Sequence, residues 1–116
     1  MTVAEVYDSL GESYEEIHSR LEDDEWIAKY LKQFVQGNYK KKMNTALTEG
    51  DWIEGYKAVH NIKGLALNLG LTGLAKKSVE LGEELKNGVP VRDITGLLID
   101  MNGEYDRVVD AIKRLD

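Results

Sequence analysis

The chain has 116 residues, enough for one hydrophobic core, and its 42% apolar and 31% charged residues are those of a soluble globular protein. A formal net charge of −6 argues against nucleic-acid binding, which favours a basic face, and the lack of cysteine excludes disulfides and thiolate metal sites. No apolar run approaches the roughly 20 residues that span a bilayer and no basic-then-apolar leader opens the chain, so no membrane contact and a cytoplasmic location are expected.

A single proline and the absence of alternating β-branched segments predict an all-α chain. Thr2 can cap a first amphipathic helix over residues 3–21, which carries Val6, Leu10, Ile17 and Leu21 and has Gly11 as a point where it can split. Asp23 or Asp24 caps a second over 24–49, with Ile27, Leu31, Phe34, Val35, Met43, Ala46 and Leu47 on its buried side. Gly37 interrupts it, at a cost of about 1 kcal/mol relative to alanine. Asp51 caps a third over 52–69, closed by Gly70 in a left-handed position that makes this glycine structural. Thr72 opens a fourth over 73–87, marked by Leu74, Ser78, Leu81 and Leu85. Ser78 lies on that apolar stripe and is expected to bond a backbone carbonyl one turn earlier. Pro90 and Asp93 fall at the start of a fifth over 91–115, with the stripe Ile94, Leu97, Met101, Tyr105, Val108, Ile112 and Leu115. Short loops between long helices make neighbours antiparallel. The expected architecture is one domain over residues 1–116, an antiparallel up-down four-helix bundle with an additional N-terminal helix across one end or side.

The third helix carries the chemistry. At about 100° per residue, Ala58, Ile62, Leu65 and Leu69 fall within about 40° of one direction, and His60 points the opposite way. Gly64, one turn on, lies beside the imidazole and has no side chain to shield it. Lys63, on the same side, can swing its ammonium toward an anion on the ring. Neutral imidazole is nucleophilic near physiological pH, so an exposed ring with a bare neighbour and a nearby cation meets the needs of a phosphoryl acceptor. Ile53, Tyr56 and Leu67 lie within about 40° of His60, and Lys57 within about 60°. Large apolar groups on the solvent side of a helix suggest a partner-binding patch, although the N-terminal helix is an alternative cover for Ile53.

The run His60-Asn61-Ile62-Lys63-Gly64-Leu65-Ala66-Leu67-Asn68-Leu69-Gly70 closely resembles the signature of histidine phosphotransfer (HPt) domains. That pattern is a histidine, then an apolar residue, lysine and glycine at the second, third and fourth places after it, a small residue at the sixth and glycine at the tenth. Ile62, Lys63, Gly64, Ala66 and Gly70 fill those places. Tyr14-Glu15-Glu16-Ile17-His18-Ser19-Arg20-Leu21 with Glu22-Asp23-Asp24, and Glu49-Gly50-Asp51 before the histidine helix, are also similar to bacterial members. The likeness runs from residue 14 to about 88 and is one of length and periodicity beyond. Leu65 is bulkier than the residues usual there, and Leu67 stands where glycine, alanine or serine is common; both departures bear on the choice of partner. The resemblance implies a phosphocarrier rather than an enzyme, with His60 as phosphoacceptor, Lys63 stabilising the phosphoryl group and Gly64 giving access to the imidazole. It implies a monomer that relays phosphate between the receiver domain of a hybrid sensor histidine kinase and that of a response regulator. The magnesium ion belongs to the receiver, and no cofactor is expected in this chain. No glycine-rich phosphate loop is present, so neither ATP binding nor autokinase activity is expected.

Two other readings compete. A degenerate HPt-like module that binds a receiver or kinase without being phosphorylated shares the fold but has no use for intact His60, Lys63 and Gly64. A carboxylate-rich metal bundle needs Glu-x-x-His pairs on facing helices. Glu15 and His18 supply one such pair, but Lys57 holds the matching place before His60, and no metal is expected. His18 reads as a surface histidine, and with Glu22 it offers only two ligands. Glu22-Asp23-Asp24-Glu25 lacks calcium-loop spacing and reads as negative charge at a helix N-terminus, while Lys40-Lys41-Lys42 points in three directions and reads as a solvated face.

Overall fold

The computed structural model describes residues 1–116 and contains seven α-helices and no strand. They are α1 (Val3–Ser9), α2 (Tyr14–Leu21), α3 (Asp24–Gln36), α4 (Tyr39–Thr48), α5 (Trp52–Asn68), α6 (Thr72–Leu85) and α7 (Thr95–Ile112). The all-α expectation holds, and two of the five predicted helices are each a pair. The 3–21 segment breaks at Gly11, whose φ of 71° is left-handed. Gly11 N–H donates to the Asp8 carbonyl (3.0 Å) and Glu12 N–H to that of Tyr7 (2.9 Å), the double closure of a Schellman turn. Gly50 and Gly70 end α4 and α5 in the same way, with φ of 72° and 69°.

The 24–49 segment breaks for a different reason. Gly37 is extended (φ −73°, ψ 151°), and the Tyr39 ring folds back across it to stack on Phe34 with centroids 5.8 Å apart. A Cβ at residue 37 would overlap that ring. The chain therefore turns where the aromatic pair closes, and α3 and α4 are separate rods.

Most helix starts come from local caps. Thr2 and Glu5 form a reciprocal capping box, and Ser13, Asp23 and Asp51 accept from the N–H groups of Glu16, Glu25 and Glu54. The remaining boundaries differ from the sequence expectation. Helix α6 runs over 72–85 rather than 73–87, and its N-cap residue, Leu71, is buried and apolar. Its cap is remote: the Glu12 carboxylate accepts from Gly73 N–H (2.9 Å) and from the Thr72 hydroxyl (2.6 Å). Helix α7 runs over 95–112 rather than 91–115, because Asp93 accepts from Thr95 N–H (2.9 Å) and fixes the first turn there.

Helix α5 packs between α4 and α6, α6 packs on α7, and α7 touches α3 and α1. Every helix contributes to one core that includes Tyr7, Ile17, Phe34, Met43, Ile62, Leu81 and Met101. Ser78 is its one buried polar residue, and its hydroxyl donates to the Leu74 carbonyl at 2.8 Å, as expected. On α5 the buried line is Gly55, Val59, Ile62 and Ala66, with Ala58 and Leu65 half-buried at its edge. That line lies about 60° round the helix from the predicted one. The cause is close approach: a Cβ on Gly55 would sit 2.5 Å from Leu47 Cδ2, and one on Gly82 would sit 3.7 Å from Val59 Cγ1. Small residues let α4 and α6 in, and the larger Leu65 moves to the flank.

Helices α1 and α2 meet the end where α5 turns into α6. The Tyr7 hydroxyl donates to the Leu69 carbonyl (2.5 Å), and the Arg20 guanidinium donates to that of Leu67 (3.3 Å). Leu69 is the C-cap residue of α5, and the Leu67 carbonyl, in its last turn, also accepts from Gly70 N–H at 3.2 Å. No helix is long and apolar enough to cross a membrane.

Candidate functional site

His60 is the ninth of the 17 residues of α5, far from either frayed end. Its side chain is exposed, and its ring lies against that of Tyr56 with centroids 5.9 Å apart and planes 21° from parallel. The shift of the buried line leaves the imidazole about 130° from the core direction, still on the solvent side.

Gly64 and Gly55 sit on the same helix and do different things. Gly55 is buried and lets Leu47 close in, whereas a Cβ on Gly64 would meet nothing within 4 Å. Glycine inside a helix costs about 0.5–1 kcal/mol relative to alanine. At Gly64 the packing returns nothing for that cost. What the missing side chain leaves is open space one turn beyond His60.

Lys63 is half-buried and makes no ion pair, while Lys57 is exposed and bonded to Glu54 at 3.4 Å. The chain carries −6, yet α5 has two lysines against one glutamate. Lys86, the C-cap residue of α6, has its pKa raised chiefly by a hydrogen bond to Glu83, 2.6 Å away. Ile53 is 67% exposed and Leu67 49%. Each is seven residues from His60, or about 10 Å along the axis. Tyr56 is half-buried. The predicted site residues thus line one side of α5. The alternative cover for Ile53 is absent: the residue stays exposed, and the hydrogen bonds from α1 and α2 reach the other, C-terminal end of α5.

The second histidine has another setting. His18 is half-buried against Tyr14, with ring centroids 5.4 Å apart, and its Nε2 stands 3.9 Å from Asp24 Oδ1. The Tyr14 hydroxyl donates to the same oxygen at 2.6 Å, which pushes the Tyr14 phenol up. Glu22 takes a left-handed φ of 61° as the C-cap of α2. No three His, Asp or Glu side chains gather as a metal cluster.

One feature had no sequence signal. A cavity of about 340 Å³ opens between α2, α3, α4 and α5, walled by Leu21, Phe34, Tyr39, Leu65 and Leu69. It depends on the break at Gly37 and on Leu65 sitting at the flank of α5. Comparison of the chain with protein-family models, with curated proteins and with solved structures gives no match.

Proposed function

We propose that this chain is an HPt-type phosphocarrier that takes a phosphoryl group from one receiver domain and gives it to another through His60. The observation that carries this reading is an exposed imidazole at the middle of α5 beside a glycine whose missing side chain the packing does not need. A neutral ring nitrogen offers its lone pair to the phosphorus of an aspartyl phosphate. An N–P bond forms, the P–O bond to the aspartyl group breaks, and the carboxylate leaves with that electron pair. The same exchange run backwards on a second receiver passes the group on. Such transfer is mostly positioning and charge stabilisation. This chain brings the nucleophile and the Lys63 ammonium; the receiver brings magnesium and its acidic pocket. The local lysines suit an acidic partner, and Ile53 and Leu67 add apolar area that docking would cover. In this reading α3 with α4, α5, α6 and α7 are the four rods of an antiparallel bundle that α1 and α2 close at one end. The protein acts as a cytoplasmic monomer, without ATP binding or a cofactor of its own.

The test is incubation with a panel of phosphorylated receiver domains. Acid-labile label should appear on the wild-type chain and be absent from His60→Gln, which should keep its helical spectrum and Tm because the side chain faces solvent. Label that persists on His60→Gln would move the acceptor to His18. No label on the wild type from any receiver would remove the phosphocarrier reading.

A further inference from the structure

Tyr56 stands one turn before His60 on the same side of α5, and the two rings stack at 5.9 Å and 21°. Side chains on a helix lean toward its N-terminus. The imidazole therefore leans onto Tyr56 and away from Gly64. One side of the ring is covered by an aromatic; the other looks over space where a Cβ at residue 64 would meet no atom within 4 Å. Tyr56 is itself half-buried and packed against the core. A free surface histidine exchanges among several rotamers, whereas an offset-stacked pair at this distance favours one arrangement.

We infer that Tyr56 is a positioning residue for phosphoryl transfer: its ring holds the His60 imidazole in the one orientation that leaves the reactive edge open over Gly64. The inference rests on His60 being the phosphoacceptor. It assigns Tyr56 a role apart from contact with the receiver. The stack belongs to the free protein, so it is formed before any partner arrives. The transferring group must then approach from the C-terminal side of His60, past Gly64. The hydroxyl of Tyr56 has no part in this, and a phenyl ring should serve as well.

The experiment has two arms on the full chain. In the first, the carbon-bound ring protons of His60 are observed by NMR, assigned with His60→Gln and His18→Gln. They should be displaced upfield by the tyrosine ring current in the wild type and in Tyr56→Phe, and should return toward free-histidine positions in Tyr56→Leu. This arm needs no receiver, and the wild-type spectrum tests the stack even where a variant fails to fold. In the second, transfer from a phosphorylated receiver is followed as a function of receiver concentration. Tyr56→Leu should lower the maximal rate by roughly two- to tenfold, the scale of one aromatic pair. The half-saturating receiver concentration should stay the same, and Tyr56→Phe should restore the rate. Undisplaced ring protons in the wild type would overturn the inference. So would a Leu variant that changes only the half-saturating concentration, because Tyr56 would then be a docking contact. Displaced protons with no label on wild-type His60 would overturn the phosphocarrier reading instead, and the positioning role with it.

Discussion

Lys63 differs from the other lysine of α5 in having no carboxylate to hold it. Lys57 is bonded to Glu54, whereas the ammonium of Lys63 is free to turn toward His60. In the proposed relay, one charge-assisted contact to a phosphoryl oxygen is worth ~1–3 kcal/mol, or roughly 5- to 150-fold in rate. Lys63→Ala should therefore slow transfer by that factor in timed quench experiments and leave Tm unchanged. Equal rates at low salt would make Lys63 an ordinary surface lysine. Tyr7 is the opposite kind of residue, fully buried, with its hydroxyl on the Leu69 carbonyl. Tyr7→Phe leaves that carbonyl without its donor, which should cost about 1–3 kcal/mol in urea unfolding while transfer at low temperature is unaffected. A variant as stable as the wild type would mean that water replaces the phenol. The placement of His60, Lys63 and Gly64 was legible in the sequence, because all three lie within four residues of one helix and a fixed turn per residue places them. Tyr7 was not: its partner is 62 residues away, and a seven-residue helix has too few positions to define a buried face.

At the scale of the element, the glycines separate into those the helix ends need and one the helix does not. Gly70 has a φ of 69°, and an added Cβ would meet Ile17 at an ordinary 3.5 Å. The penalty of Gly70→Ala is thus mainly in the backbone, about 1–2 kcal/mol. Gly64 is within a regular helix and faces open space. Gly64→Ala should raise stability by about 0.5–1 kcal/mol and yet, in the proposed relay, slow transfer, because a methyl group would stand in the open space beside His60. Opposite signs in unfolding midpoint and transfer rate are the expected result; a more stable variant that transfers normally would take Gly64 out of the site. The ends at Gly11, Gly50 and Gly70 were readable because glycine alone enters the left-handed region cheaply. The break at Gly37 was readable as a weak point, but not as two rods, because that depends on the Tyr39 ring returning to Phe34. Helix α6 opens at Thr72 as the sequence indicates, but its cap, the Glu12 carboxylate some 60 residues earlier in the chain, has no local signal. Of the line Ala58, Ile62, Leu65 and Leu69 expected to face the core, Ile62 and Leu69 are buried, whereas Gly55 and Ala66, which admit close neighbours, take the places that Ala58 and Leu65 leave for the flank.

Across the whole molecule, contacts between distant helices set how the rods lie and how the fold responds to pH. Asn44 and Asn102 exchange amide hydrogen bonds of 2.9 and 3.0 Å between α4 and α7, a reciprocal pair that fixes one alignment of those helices. Tyr7 and Tyr105 are both buried, and desolvation is the main cause that raises each phenol above the ordinary 10.0, Tyr105 to about 12 and Tyr7 further. In the unfolded chain both ionise near the ordinary value. Above pH 10 the folded state therefore keeps protons that the unfolded state has lost. The stabilisation is complete below pH 10 and is lost as pH rises toward and through the folded values, by up to about 1.4 kcal/mol per pH unit for each tyrosine. Urea midpoints should be flat through the neutral and weakly alkaline range and fall steeply above pH 10. Tyr105→Phe and Tyr7→Phe should each make that fall shallower, whatever they cost at neutral pH. A profile that stays level to pH 12, or variants that fall as steeply as the wild type, would show that neither phenol is kept from water. The two tyrosines should also fail in different places. Ionising Tyr7 removes the donor on the C-cap carbonyl of α5, so amide exchange at Gly70 and Leu71 should accelerate with rising pH and lose that dependence in Tyr7→Phe. Tyr105 lies on α7 against Phe34, so its ionisation should loosen the α3–α7 contact and leave the end of the His60 helix closed.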